Sequence, residues 1–272
     1  MKYLKERDFV ERCYIHILEQ YLSKSARAAA VNHDKGERDV VTDIDLAIEK
    51  YLISELKLHF PSDNIVSEEF NGDNVLNGRT WTIDPIDGTI NFSKGSFLFG
   101  FQIALLDGVK PMLSYIFLPD LDNKFMAVEG EGAYFNDERI YIKNDCPLEK
   151  AIVSIGSFSN SNKELADYEF ELVKMLQQKV LGIRMFGTGA FDCASVAASF
   201  VQAHFMFATH VWDVAPGALL CKEAGAIVTK VDGSEYDVNY PSYLFSSNKE
   251  IADYFADCAA KLPKLDFMKF KK

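Results

Sequence analysis

The chain has 272 residues, of which 48% are apolar and 25% charged, a composition that excludes wholesale disorder and is ample for a sizeable core. Its 29 basic residues face 40 acidic ones, for a formal charge of −11. That balance excludes a DNA- or RNA-coating protein, which needs a basic face to neutralise phosphates, and at first sight it disfavours any anionic partner.

Residues 3 to 29 read as one helix, with Phe9, Cys13, Ile17 and Leu22 along one side. The polar stretch 32 to 39, NHDKGERD, reads as a loop, and a second helix begins near Thr42 and ends before Pro61. Strands are expected at Thr80–Asp84, Phe97–Leu106, Lys110–Leu118 and Lys124–Val128, with a further hairpin over Gly130–Ile142. Neighbouring strands of this kind make an antiparallel sheet.

Beyond residue 148 strands and helices alternate. Ala151–Ile155, Gly182–Phe186, Ala203–Ala208, Ile227–Val231 and Tyr243–Ser246 read as strands. Asn162–Lys179, Gly189–Phe200, Val211–Ala224 and Lys249–Leu262 read as helices. The boundary falls at Asn144–Pro147. It divides an N-terminal α+β part (1–146) from a C-terminal α/β part (147–272), and the lysine-rich tail from Lys261 reads as a solvated end.

Cys13, Cys146, Cys193, Cys221 and Cys258 form no CxxC pair and read as reduced thiols. The histidines form no HxH or HExxH group, which disfavours a histidine-rich metal site. The N-terminus has no signal-peptide core and no apolar run could span a bilayer, so a soluble, cytoplasmic protein without a membrane or nucleic-acid partner is expected.

The chemistry concentrates in Trp81-Thr82-Ile83-Asp84-Pro85-Ile86-Asp87-Gly88-Thr89. Two carboxylates flank a proline-fixed bend that can also bare the Ile86 carbonyl, and such hard oxygen ligands suit Mg²⁺ better than Zn²⁺. Gly88-Thr89 would then open a helix whose free N–H groups attract an anion. Alone, the segment reads equally well as an Asx-type turn. Other acids join it: Asp43 and Asp45 at a helix start, Glu68-Glu69 after an apolar step, and Asp213 after Trp212. Helix-dipole complement, solvated loop and N-cap are the respective plain readings, and for Asp43 the first is preferred.

Taken together, these residues resemble the inositol monophosphatase family, within the Mg²⁺-dependent, lithium-sensitive sugar-phosphate phosphatases. Asp84-Pro85-Ile86-Asp87-Gly88-Thr89 with Asn91-Phe92 is similar to the family's first signature. Trp212-Asp213-Val214-Ala215 with Gly217, then Glu223-Ala224-Gly225, is similar to the second. Val41-Thr42 with Asp45, Glu68-Glu69, and Arg184 with Gly187-Thr188-Gly189-Ala190 and Asp192 stand in the matching order, so the resemblance covers nearly the whole chain.

The resemblance implies a layered α/β/α/β/α sandwich, a homodimer, and hydrolysis of a small phosphorylated metabolite, as in the inositol-phosphate phosphatases. Glu68, Asp84 and the Ile86 carbonyl would hold one Mg²⁺; Asp84, Asp87 and Asp213 a second; a third, weaker ion would sit near Glu68. Asp45 and Thr89 would orient and deprotonate an attacking water activated by the metal, with Glu68 in the same catalytic group. Gly88 and Thr89 would bind phosphate, and Gly187, Thr188, Gly189, Ala190, Met206 and Asp213 would line the substrate pocket. Such ions would invert the local charge, so an acidic chain can still take an anionic substrate.

Three positions depart from the family pattern. Met206 replaces a Glu that hydrogen-bonds sugar hydroxyls, Pro216 a small alanine and Ile90 a threonine. Methionine cannot make that bond, so an altered leaving group and a more apolar pocket near Met206 and Phe207 are expected. Fructose 1,6-bisphosphate, histidinol phosphate and 3′-phosphoadenosine 5′-phosphate are the rival substrates, and a non-catalytic regulator on the same fold is the alternative of a different class.

Overall fold

The computed structural model describes residues 2–36 and 39–270. The first sheet has seven strands in the order β3 (Asn64–Ser67), β4 (Arg79–Asp87), β5 (Gly100–Asp107), β6 (Lys110–Leu118), β7 (Asn123–Val128), β8 (Gly132–Phe135) and β9 (Glu138–Ile140). All neighbours pair antiparallel except β3 and β4, which run parallel. The second sheet has five strands, β11 (Gly182–Arg184), β10 (Ile152–Ile155), β12 (Ala203–Phe207), β14 (Ser242–Ser246) and β13 (Ile227–Thr229), in that order.

Side-chain alternation along the strands sets the layering, because successive residues face opposite ways. Ile103 and Leu105 of β5 meet α1 (Leu4–Gln20) and α3 (Asp43–His59) through Phe9, Ile17, Ile48 and Leu52. Ala104 and Leu106 of the same strand face α6 (Gly189–Ala197) and α7 (Val211–Ala224), and this cluster continues to Tyr243 and Phe245 of the second sheet. The far face of that sheet, including Val153 and Phe205, packs on α5 (Lys163–Gln177) and α8 (Lys249–Ala259). The result is the layered α/β/α/β/α arrangement.

Four local expectations need correction. The first helix stops at Gln20, and a separate α2 (Lys24–Ala29) starts because Ser23 Oγ accepts the Ala26 N–H and caps it. The stretch read as a loop forms β1 (Asn32–Gly36) and β2 (Asp39–Thr42), an antiparallel pair, because backbone pairing does not require apolar side chains; Glu37 and Arg38 lie outside the described residues. Ile65-Val66 belongs to a strand, β3. The tail is not wholly solvated: Phe267 is buried against Tyr168 and Phe207, with ring centroids 5.3 and 5.0 Å away, while Lys271 and Lys272 lie outside the described residues.

The central helices leave no room for side chains where they cross. A Cβ on Gly217 of α7 would fall 2.4 Å from Cys193 Sγ and 2.7 Å from Cys193 Cβ on α6. Gly217→Ala is therefore expected to cost about 1–3 kcal/mol by overpacking, measured by denaturant unfolding. Adding Cys193→Ala should return part of the loss, since it removes the nearer atom.

Glu169 lies on the buried face of α5, accepts the Ser159 N–H at 2.7 Å, and is pushed by burial from 4.5 up to about 7. Between those two values the folded state binds more protons than the unfolded chain, so this group's contribution to stability falls as pH rises. Glu169→Gln does not titrate. Its stability relative to the parent should rise across that window by about 3 kcal/mol at most, read from urea midpoints at matched pH.

Candidate active site

The bend in β4 arises from its own sequence. Its ladder with β5 is regular up to Asp84 opposite Gln102, then slips before Asp87 opposite Gly100. Pro85, lacking an N–H, occupies the slip, where a bulge re-aims the side chains on either side. Gly88 follows at φ 82°, and a Cβ there would come within 3.0 Å of Thr188 and 3.1 Å of the Gly187 carbonyl, so the turn requires glycine. Thr89 then opens α4 (Thr89–Ser93).

Asp45 and Asp213 arrive from helix starts. Both occupy the third helical position of a capping box, so each cap holds a carboxylate while leaving part of it free to act elsewhere. Asp45 Oδ2 accepts from the Thr42 N–H at 3.1 Å and from the Thr42 hydroxyl. Asp213 Oδ2 accepts the His210 N–H at 2.7 Å. The Thr89 hydroxyl lies 3.2 Å from Asp45 Oδ1 and 2.9 Å from the Ile86 carbonyl oxygen. Burial raises the Asp45 pKa, and the bonds from Thr42 and Thr89 offset part of that rise. Asp43 does more than complement the helix dipole, since its Oδ1 accepts the Val31 N–H at 2.9 Å.

Glu68 follows β3, and its N–H bonds the Ile83 carbonyl at 3.3 Å. The loop it opens is held by a residue that the sequence reading missed. Glu49 is fully buried on α3 and accepts from Ser67 Oγ at 2.6 Å, the Glu69 N–H at 2.9 Å and the Phe70 N–H at 2.8 Å. A carboxylate one position after Ile48, on the apolar face of its helix, was the available signal. The same loop packs on the second signature, because Gly72 leaves 3.2 Å between its missing Cβ and Trp212. Gln102 was also missed; its Nε2 donates to Asp84 Oδ2 at 3.3 Å.

The 187–190 segment meets Asp87 directly. Asp87 Oδ2 accepts the Ala190 N–H at 2.6 Å and the Thr188 hydroxyl, while burial raises its pKa. Asn91 Nδ2 ties this segment down through the Phe186 and Leu98 carbonyls, each at 2.8 Å. Arg184 stays outside the group, its Nη1 bonding the neighbouring Ile183 carbonyl. Asp192 is buried, and burial holds its pKa well above the usual range.

Met206 is reached through Tyr243, whose hydroxyl donates to Met206 Sδ at 3.8 Å. His204 Nε2 lies 2.9 Å from that hydroxyl and its Nδ1 3.0 Å from Ser154 Oγ. Burial lowers the His204 pKa to about 3, so the ring is neutral and one tautomer serves both bonds. The surroundings of Met206 are not the apolar pocket expected: Ser157, Ser159, Asn160 and Glu169 line the same cavity, because the loop after β10 folds over the strand end.

Among the described residues no group of three His, Cys, Asp or Glu side chains is gathered as a ready metal cage. The donors present nonetheless fit a divalent cation. Asp84 Oδ1 is buried without a hydrogen-bond partner. Burial, and then the carboxylates of Glu68, Asp87 and Asp213, push the Asp84 pKa well above its ordinary value. A buried, orphaned oxygen among three like charges is costly alone and suited to a hard cation.

A profile of the inositol monophosphatase family matches residues 10–263. The chain is 33% identical over 221 residues to a fructose-1,6-bisphosphatase/inositol-1-monophosphatase of Thermotoga maritima, covering 81% of this chain and 83% of that protein. It is 33% identical over 218 residues to the Nus factor SuhB of Pasteurella multocida, covering 79% and 78%. A solved inositol monophosphatase structure from Thermotoga maritima superposes with a TM-score of 0.82 at 28% identity, over 95% of this chain and 98% of that one. With the order of its motifs, its fold and its sequence in agreement, this chain belongs to the inositol monophosphatase family, a family of phosphatases.

Proposed function

We propose that the protein is a Mg²⁺-dependent phosphomonoesterase acting on a small polyol or sugar phosphate. The observation that carries this reading is the set Glu68, Asp84, Asp87 and Asp213, mutually repelling, with Asp84 Oδ1 left without a partner. Glu68, Asp84, Asp87, Asp213 and the Ile86 carbonyl would hold the cations. Bound Mg²⁺ supplies charge neutralisation of the phosphoryl oxygens and a lowered pKa for water.

The remaining work belongs to the chain. Thr89 has one hydroxyl proton to give, and Asp45 Oδ1 and the Ile86 carbonyl compete for it. When Thr89 donates to Asp45, its oxygen accepts from the attacking water, and the water's proton passes toward Asp45. Burial makes Asp45 a stronger base than an exposed carboxylate, which favours that direction. Thr188 and the Ala190 N–H hold one oxygen of Asp87, so its other oxygen keeps a fixed direction. No cysteine or histidine takes part, which agrees with direct attack by water. Retention of all four carboxylates argues against a purely regulatory role, although one relative carries a Nus-factor name.

Mg²⁺ at about 100 times its dissociation constant should stabilise the fold by about 2.7 kcal/mol, read as a melting shift. Asp84→Asn should lose that shift and turnover on inositol 1-phosphate. In chelator it should be no less stable than the parent at pH 7, because it removes one of the repelling charges. A variant that kept the Mg²⁺ shift would overturn the metal assignment. Glu49→Ala strands three donors and should cost about 1–3 kcal/mol or more, with a weakened Mg²⁺ response, checked by urea unfolding with and without the ion.

A further inference from the structure

The cavity beyond Met206 plays no part in the chemistry described above. It has a volume of about 230 Å³ and lies between the loop after β10, the buried face of α5, the end of β12 and the C-terminal turn. Its polar groups come from Ser157, Ser159, Asn160, Glu169 and Lys269, with Met206 as one wall. Glu169 is 1% exposed, and the Ser159 N–H bonds its Oε2 at 2.7 Å. An ionised carboxylate can accept several further bonds.

The cavity adjoins the reaction centre through two side chains. The Cβ position of Gly189 lies 3.9 Å from Asp87 Oδ1 and 4.0 Å from the Tyr243 hydroxyl. That hydroxyl holds Met206 Sδ at 3.8 Å. Met206 in turn lies flat on Gly156, where a Cβ would be only 2.7 Å from its sulfur. A phosphate ester seated beside Asp87 therefore extends over Gly189 and past Met206 into this space.

Size and polarity restrict what enters. Whole-ligand pockets run roughly 300–1,000 Å³, so this cavity takes one ring or short chain, not a nucleotide. Serine and asparagine both donate and accept, an ionised glutamate only accepts, and a lysine only donates. A hydroxyl can satisfy every member of that set. An alkyl chain would leave the Glu169 carboxylate and its neighbours without partners.

We propose that this cavity is the leaving-group subsite, that its occupant is a polyol or sugar of about hexose size, and that Glu169 accepts a hydroxyl proton which position 206 can no longer take. This rests on the phosphomonoesterase reading. It moves the carboxylate that recognises hydroxyls from strand β12 to helix α5.

The test compares three phosphate esters with Mg²⁺: a hexitol phosphate, hexyl phosphate of similar length without further hydroxyls, and glycerol phosphate. The parent protein should prefer the hexitol ester over the hexyl ester by about tenfold or more in kcat/KM, the scale of a charge-assisted hydrogen bond. Glu169→Gln should lower the hexitol-to-glycerol ratio of kcat/KM about tenfold, mainly through KM. A loss shared equally by both esters would mark Glu169 as a brace for its loop and overturn the proposal. Equal or better use of hexyl phosphate by the parent would overturn it without needing the variant to fold. Phosphate release from none of the three would defeat the phosphomonoesterase reading itself, and this proposal with it.

Discussion

Four carboxylates pressed toward one another around a buried bend are the constraint that organises this protein. Asp84 carries most of the burden, since desolvation and the charges of Glu68, Asp87 and Asp213 all oppose its ionised form. Like charges in such a place need outside support, and much of the surrounding structure supplies it. Gln102 holds one oxygen of Asp84, and Thr188 and Ala190 hold Asp87. Glu49 fixes the loop that carries Glu68, and a capping box fixes Asp213. Each support comes from a different element, so the site depends on both sheets and on the helices between them.

The central layer of helices shows the same dependence in its packing. Gly100 allows Ala190 to approach β5, where a Cβ would lie 2.6 Å from the Ala190 Cβ, and Gly217 allows α7 to lie against Cys193 of α6. These close approaches bring the 187–190 segment to Asp87 and the start of α7 to the Glu68 loop. Core interiors are close-packed, so a displacement of this layer is transmitted to the carboxylates it positions. Stability and site geometry are therefore linked through a few glycines that never touch a ligand.

Asp45 and Asp213 show why a plain reading and a functional one need not compete. Each caps a helix with one oxygen, as an ordinary acidic residue would. The cap fixes the side chain, and a fixed carboxylate is what a reaction site needs. A similar economy appears at Met206. The residue has lost the family's polar group but keeps a defined position through Tyr243 and His204, and the polar groups beside it come from a separate loop and helix.

The helices from Thr42 and Val211, the strand Lys110–Leu118 and the strand–helix alternation of the second half were legible in the chain, because periodicity and caps are local. The Asp-Pro-Ile-Asp-Gly-Thr bend was legible for the same reason, as proline and glycine constrain the backbone wherever they stand. Glu49, Gln102 and Glu169 were not singled out, because their significance lies in what faces them from distant segments. The hairpin before Thr42 was missed because its side chains are polar, and the break at Gln20 because the apolar pattern continues through it. The sequence by itself determined the family, the bend and the acidic residues available to it. Only the tertiary structure decided which acids repel one another, which oxygen is left unpaired, and that Met206 adjoins a polar cavity, because these are properties of facing surfaces that no single stretch of chain contains.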